Sequence, residues 1–297
     1  MDSYTPVKLA HYVAEPSSED GASLAPIIFV HGLAASKEMW EDIPQVVANE
    51  SKRKAYVIDL RNHGDTEWTD TFSFDILVDD LLHFMDENEI QKAILIGHSL
   101  GGAIVGRAAL KKPDRVEALI VEDMIVVVNL PPEIDTAVRT IICKRYEYVQ
   151  KIPAELDEKE AFKKLLDFMP EILQTAPEVI RNQSKNRENP YNFLKLKRNK
   201  DGRWDFPANY KVIIEFLNNA EELMSEPEGV YDGPTSFIYG TLSFIPIPAY
   251  EPQIKKHFPN AELAPIEGAS HNITGDCPEE LTKAIVNFLL KNNNEIN

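Results

Sequence analysis

The run Gly97-His98-Ser99-Leu100-Gly101, with a further glycine at 102, sets one serine between glycines where an apolar segment gives way to a helix-like one. Glycines on both sides let a chain turn sharply from strand to helix, so the serine hydroxyl is held exposed on a strained turn. Such a hydroxyl is a weak nucleophile until a neighbouring base removes its proton, after which it can add to an ester or thioester carbonyl. A glycine-rich turn can also hold a serine by accident. Here the apolar run before it and the helix pattern after it are both in place.

Seven histidines could serve as the base. His271 lies in a small polar turn, Gly268-Ala-Ser-His-Asn272, just past the apolar run Ala261 to Ile266. It also comes late in the chain, as the order nucleophile, acid, histidine requires of a serine on such a turn. His63 is the main rival, but it precedes the serine. His98 and His31 read as structural residues, and His11, His83 and His257 as surface or packing residues.

The third member must be a buried carboxylate that fixes the imidazole tautomer and supports its charged form. The segment after Ile238-Tyr-Gly240 offers Thr241, Leu242, Ser243 and Phe244, none of them acidic, and Asp232 precedes that run and belongs at its opposite end. Asp123 ends the run that follows the nucleophile's helix, on the same edge as Ser99 and His271. Strand alternation turns Glu122 the other way. Two N–H donors are also needed where negative charge grows on the attacked carbonyl. Leu100 N–H, at a helix N-terminus that favours anions, is one. Leu33 N–H, in the bend His31-Gly32-Leu33-Ala34, is the other.

These residues need a sheet whose strand ends meet at one edge. The runs Pro26 to Val30, Ala55 to Ile58, Ala93 to Ile96, Ala118 to Val121, Ser236 to Tyr239 and Ala261 to Ile266 are short and free of arginine and lysine, and most are β-branched, as strands buried on both faces of a parallel sheet are. Phe74, Leu77, Val78, Leu81, Leu82 and Met85 share one helical face, with Ser73 as N-cap. A second helix follows Ser99, and Leu281, Ile285, Phe288 and Leu289 line a last helix opened by Pro278. The alternation predicts an α/β fold, a mostly parallel central sheet with helices on both faces. It stops between about Asn129 and Val230, which reads as an inserted helical cap. The division is therefore core 1–128, cap 129–230 and core 231–297. The basic patch Lys195 to Lys200 reads as a solvated turn.

The 297 residues are 43% hydrophobic, enough for a sizeable core, yet the longest apolar stretches fall far short of a membrane span. A net charge of −17 opposes nucleic acid and anionic membranes, and small neutral substrates fit better. The first arginine is Arg53, which fits neither a secretory signal nor a transit peptide, so a cytoplasmic location is expected. Cys143 and Cys277 lack ligand spacing, and there is no H-E-x-x-H, so no metal or other cofactor is expected. The oligomeric state is not legible.

Val30-His-Gly-Leu33, Asp59-Leu-Arg-Asn-His-Gly64, Gly97-His-Ser-Leu-Gly-Gly102 and the run-ending Asp123 together resemble one branch of the α/β-hydrolases. That branch contains abhydrolase domain-containing protein 11, the YbfF-type esterases and the fungal ethanol acetyltransferases. The resemblance is strong from about Pro26 to Asp123 and again from Pro234, and weak in the cap. It implies an α/β-hydrolase fold, Ser99 as nucleophile, Asp123 as acid, His271 as base, and Leu33 and Leu100 as oxyanion donors. An acid 24 residues past the serine is a mark of the branch (123 − 99 = 24). Thr66 replaces a usual serine, and Ala34 a frequent phenylalanine, which would widen the acyl entrance. The activity implied is hydrolysis of acyl esters, acylglycerols or thioesters among them. Acyl transfer to an alcohol would use the same triad, and a ligand receptor could reuse the scaffold. Animal members of the branch imply a mitochondrial location.

Overall fold

The computed structural model of the protein describes residues 4–17, 24–126, 131–184, 195–219 and 227–296. Its main sheet is built from β1 (His11–Ala14), β2 (Ile27–Val30), β3 (Ala55–Ile58), β4 (Ala93–His98), β5 (Val116–Glu122), β8 (Thr235–Gly240) and β9 (Ala261–Ile266). They lie in the order β1-β3-β2-β4-β5-β8-β9. All pairs are parallel except β1 with β3, so the six apolar runs form the parallel part and β1 caps one edge. All four residues of β2 are fully buried, as a strand covered on both faces must be. β1 carries exposed Tyr12 and Val13 and gives no comparable signal in the sequence.

Helices cover both faces. On one side α2 (Phe74–Glu87) and α3 (Leu100–Lys111) bury Leu77, Leu81, Ala103 and Ile104 against Ile28, Leu95 and Leu119. Ser73 Oγ accepts from Ile76 N–H at 3.3 Å, so α2 starts where its cap residue sits. On the other side α1 (Ile43–Ser51) and α10 (Pro278–Ile296) bury Val47, Leu281 and Ile285 against Phe29, Ile96 and Ile120.

Between β5 and β8 the chain leaves the sheet. It forms α4 (Pro132–Val149), α5 (Glu158–Ile172), α6 (Glu178–Arg181) and α7 (Tyr210–Leu217), with a two-residue antiparallel pair, β6 (Lys197–Arg198) and β7 (Trp204–Asp205). The boundary expected at 128/129 falls outside the described residues. Asp157 and Glu160 form a reciprocal capping box at the start of α5. The basic patch is a largely exposed hairpin, but two of its side chains act as fasteners: Lys197 Nζ donates to Gly64 O at 3.0 Å and Arg198 to Leu156 O at 2.8 Å. Among the described residues no helix is long and apolar enough to cross a membrane.

Candidate active site

The carboxyl ends of β2, β4, β5, β8 and β9 meet along one edge, and Ser99, Asp123, His271, Leu33 and Leu100 all stand there. Ser99 occupies the single position between β4 and α3 with φ 53° and ψ −119°, a conformation L-residues rarely hold. The turn closes so tightly that a Cβ at Gly101 would lie 2.2 Å from Val30 O, and one at Gly97 2.3 Å from Gly101 O. Only hydrogen fits at either position. Ser99 N–H donates to Glu122 O at 2.9 Å, which ties the turn to β5.

Ser99 Oγ lies 3.0 Å from His271 Nε2, and His271 Nδ1 lies 2.6 Å from Asp123 Oδ2. Since the carboxylate can only accept, Nδ1 carries the proton and Nε2 presents a lone pair to the serine hydroxyl. Asp123 is fully buried and follows β5 with φ 47°, a left-handed bend that carries its carboxylate towards β8. There Gly240 N–H donates to Oδ1 at 3.0 Å and Ser243 Oγ–H to Oδ2 at 2.5 Å. Ser243 Oγ in turn accepts from Ile245 N–H at 3.0 Å. A lone serine in a polar segment carries no sequence signal of this role, which only the fold makes visible.

Past β8 the chain forms α8 (Glu251–His257), and His271 sits between β9 and the short helix α9 (Ile273–Asp276). Asp276 Oδ2 accepts from both Ser270 N–H, at 2.8 Å, and Ser270 Oγ–H, at 2.7 Å, which pins the preceding residue. The His271 ring packs between His98, at 4.9 Å, and Phe244, at 4.7 Å between centroids. His98 Nδ1 is 3.4 Å from Glu122 Oε1, and Glu122 is wholly buried. The two neighbours Glu122 and Asp123 thus serve different sites. Asp232 is exposed at the amino end of β8, its carbonyl taken by Asn260.

Leu100 is the first residue of α3, and Leu33 follows Gly32 in the bend after β2. Among the described residues neither N–H donates to another protein group. A Cβ at Gly32 would stand 3.2 Å from Ser99 Cβ, so this bend packs directly on the nucleophile. Two buried histidines fix it. His31 Nδ1 donates to Gly32 O at 2.8 Å while Nε2 accepts from Leu60 N–H at 3.0 Å. His63 Nδ1 donates to Arg61 O at 2.9 Å while Nε2 accepts from Ala34 N–H at 3.0 Å. Both must be neutral to accept these bonds, and burial pushes His31 down to about 4 and His63 to about 3. His63 is therefore a brace for the bend and not a base. Asp59, beside it, holds Lys37 Nζ at 2.6 Å and Lys37 N–H at 2.7 Å, so the Asp-x-Arg-Asn-His-Gly run is scaffold.

The arrangement can deprotonate a serine, hold the imidazolium and offer two backbone donors to an oxyanion. Among the described residues no cluster of His, Cys, Asp or Glu could hold a metal ion.

Residues 25–276 match the family model of the alpha/beta hydrolase fold. The chain is 29% identical to the sn-1-specific diacylglycerol lipase ABHD11 of Danio rerio, over 97% of this chain and 84% of that one. It is also 29% identical to ethanol acetyltransferase 1 of Hanseniaspora uvarum, over 89% of this chain and 79% of that one. A solved marine microorganism esterase superposes with a TM-score of 0.71 at 24% identity, covering 95% of this chain and 99% of its own.

Proposed function

The chain belongs to the α/β-hydrolase family and is a carboxylic-ester hydrolase, and from that premise we propose that it works through an acyl-enzyme on Ser99. His271 is the base, Asp123 the acid that orients it, and Leu33 and Leu100 N–H form the oxyanion hole. The observation that carries this is the unbroken line from Ser99 Oγ through His271 to Asp123, at 3.0 and 2.6 Å.

In the reaction, Ser99 Oγ bonds to the carbonyl carbon as its proton passes to His271 Nε2. The carbon–oxygen bond to the alcohol then breaks, and Nε2–H returns the proton to the departing oxygen. Water repeats the sequence: its proton goes to Nε2, its oxygen bonds to the acyl carbon, and the acid leaves as Ser99 recovers its proton. The likeness to a diacylglycerol lipase favours acylglycerols as substrates, and residues 129–230 act as the cap that selects the acyl chain.

Ser99→Ala should abolish both hydrolysis of p-nitrophenyl esters and labelling by a fluorophosphonate. Stability should stay within about 1 kcal/mol, because the hydroxyl contributes little packing. Retained labelling would point to another nucleophile. The acetyltransferase relative favours a second reading, in which an alcohol takes the acyl group in place of water. Ethyl ester formed from an acyl donor in the presence of ethanol would measure that partition directly.

A further inference from the structure

Gln183 lies in the short turn Asn182–Ser184 that follows α6, within the inserted helical segment and far in sequence from Ser99. Its amide uses both of its donors and one acceptor lone pair. Oε1 accepts from His271 N–H at 3.0 Å, and Nε2 donates to Val179 O at 3.0 Å and to Leu242 O at 2.5 Å. One planar group thus joins α6, the segment that carries Ser243, and the backbone of the histidine at the centre of the site.

The residues on either side of His271 are held from within the core. Asp276 takes Ser270, and Ser270 Oγ accepts from Asn272 N–H at 3.2 Å. The N–H of His271 itself finds its acceptor on Gln183, across the gap between the inserted helices and the sheet edge. Leu242 O, one residue before Ser243, is held from the same side. One inserted residue therefore holds the backbone of His271 and that of the residue next to Ser243, the donor to Asp123. The chemistry of the position is narrow: it needs an acceptor and two donors on one side chain of this length, which glutamine alone provides. A carboxylate would face two carbonyl oxygens, and an aliphatic side chain would leave the part-buried His271 N–H and both carbonyls to water.

We propose that Gln183 is a positioning residue through which residues 129–230 hold His271 in line with Ser99, so that the inserted helices set turnover as well as substrate choice. The proposal rests on Ser99 and His271 being the reacting pair. It has a distinct signature, because a residue that only shapes the acyl site would alter KM, whereas one that aligns the base alters kcat.

The test compares the full-length protein with Gln183→Met, which keeps length and bulk but has no donor, and with Gln183→Glu, which keeps an acceptor and loses both donors. Loss of the bond alone is worth about two- to tenfold, and misplacement of the imidazole adds to that. In both variants kcat on p-nitrophenyl butyrate should fall about tenfold or more with KM within about twofold. The far-downfield proton resonance of His271 Nδ1–H should weaken or broaden in both. Circular dichroism confirms folding, and a variant that fails to fold leaves the other to decide. Wild-type kcat in a folded variant, or a change confined to KM, overturns the proposal. Ser99→Ala is measured alongside: turnover surviving there removes the reading of the site itself, whatever Gln183 does.

Discussion

Asp123→Asn tests the acid most sharply, because the structure fixes what an amide would have to do in its place. The carboxylate accepts from Gly240 N–H on Oδ1 and from Ser243 and His271 on Oδ2. Gly240 N–H is a backbone donor and cannot reverse. An asparagine with its NH₂ towards Gly240 sets two donors against each other in a buried site, at a cost of about 1–3 kcal/mol. The favoured orientation therefore turns NH₂ towards His271 Nδ1, where Ser243 Oγ can rotate and accept. Nδ1 must then accept too, the ring proton moves to Nε2, and the atom facing Ser99 is no longer a base. Loss of the correct tautomer costs about 10⁴ in turnover in the serine-protease example, or about 5.5 kcal/mol at the transition state. Asp232→Asn, at the exposed far end of β8, should change kcat by less than about twofold. The assay is steady-state hydrolysis of a p-nitrophenyl ester, after circular dichroism has shown both variants folded. An Asp123→Asn enzyme within about tenfold of wild type, or a crippled Asp232→Asn, would refute the assignment.

Ser243→Ala removes one of three donors to a buried carboxylate, a bond worth at least about 1.5 kcal/mol, so kcat should drop about tenfold while fluorophosphonate labelling persists. Unchanged kcat would leave Ser243 a mere packing residue. A second prediction concerns pH and stability. His31 and His63 have folded-state values of about 4 and about 3, depressed from 6.5 by burial. The unfolded chain takes up their protons as pH falls through 6.5 and the folded chain does not, so the stability they lend is complete above about pH 7 and drains towards pH 4. Urea unfolding should show a loss on the order of 2 kcal/mol per histidine between pH 7 and pH 5. A flat profile across that window would mean that these rings are protonated in the fold or wet, and the bracing argument would fail.

Much of the site was legible because its signals are local. The glycines flanking Ser99 exist to let strand and helix touch, and Asp123 ends a run whose direction follows from parallel pairing. The alternation of apolar runs and helix faces gave six strands of the seven-stranded sheet, with β4, β5 and β8 extending one or two residues further at their ends. β1 was missed because an edge strand with half its residues exposed leaves no apolar run. The 3₁₀ turn Lys37–Trp40 and α9 were missed because their hydrogen bonds are too few to impose a period. His31 was legible as a loop-shaping residue beside Gly32, whereas the roles of His63 and Gln183 are out of reach for a different reason. Each acts on a backbone group brought close only by folding, 88 residues away for Gln183 and 29 for His63, and no spacing rule encodes such a contact.

An acid at the end of β5 can serve His271 because β5 and β8 end side by side. β5 and β8 are parallel and in register, Glu122 opposite Ile238, so Asp123 and the residues that follow β8 leave adjacent strand ends. The gap between neighbouring strands is about 4.8 Å, little more than the reach of an aspartate side chain. The left-handed bend at Asp123 aims that reach along the sheet edge, and Asp123 N–H donates to Ile238 O at 2.7 Å, which keeps the bend against β8. Gly240 and Ser243 then supply the donors that a carboxylate arising from their own segment would otherwise have had to find. What the base requires is a buried oxygen at Nδ1, fully hydrogen-bonded on its other side. Either of two adjoining strand ends can deliver the carboxylate, provided that the other delivers the donors.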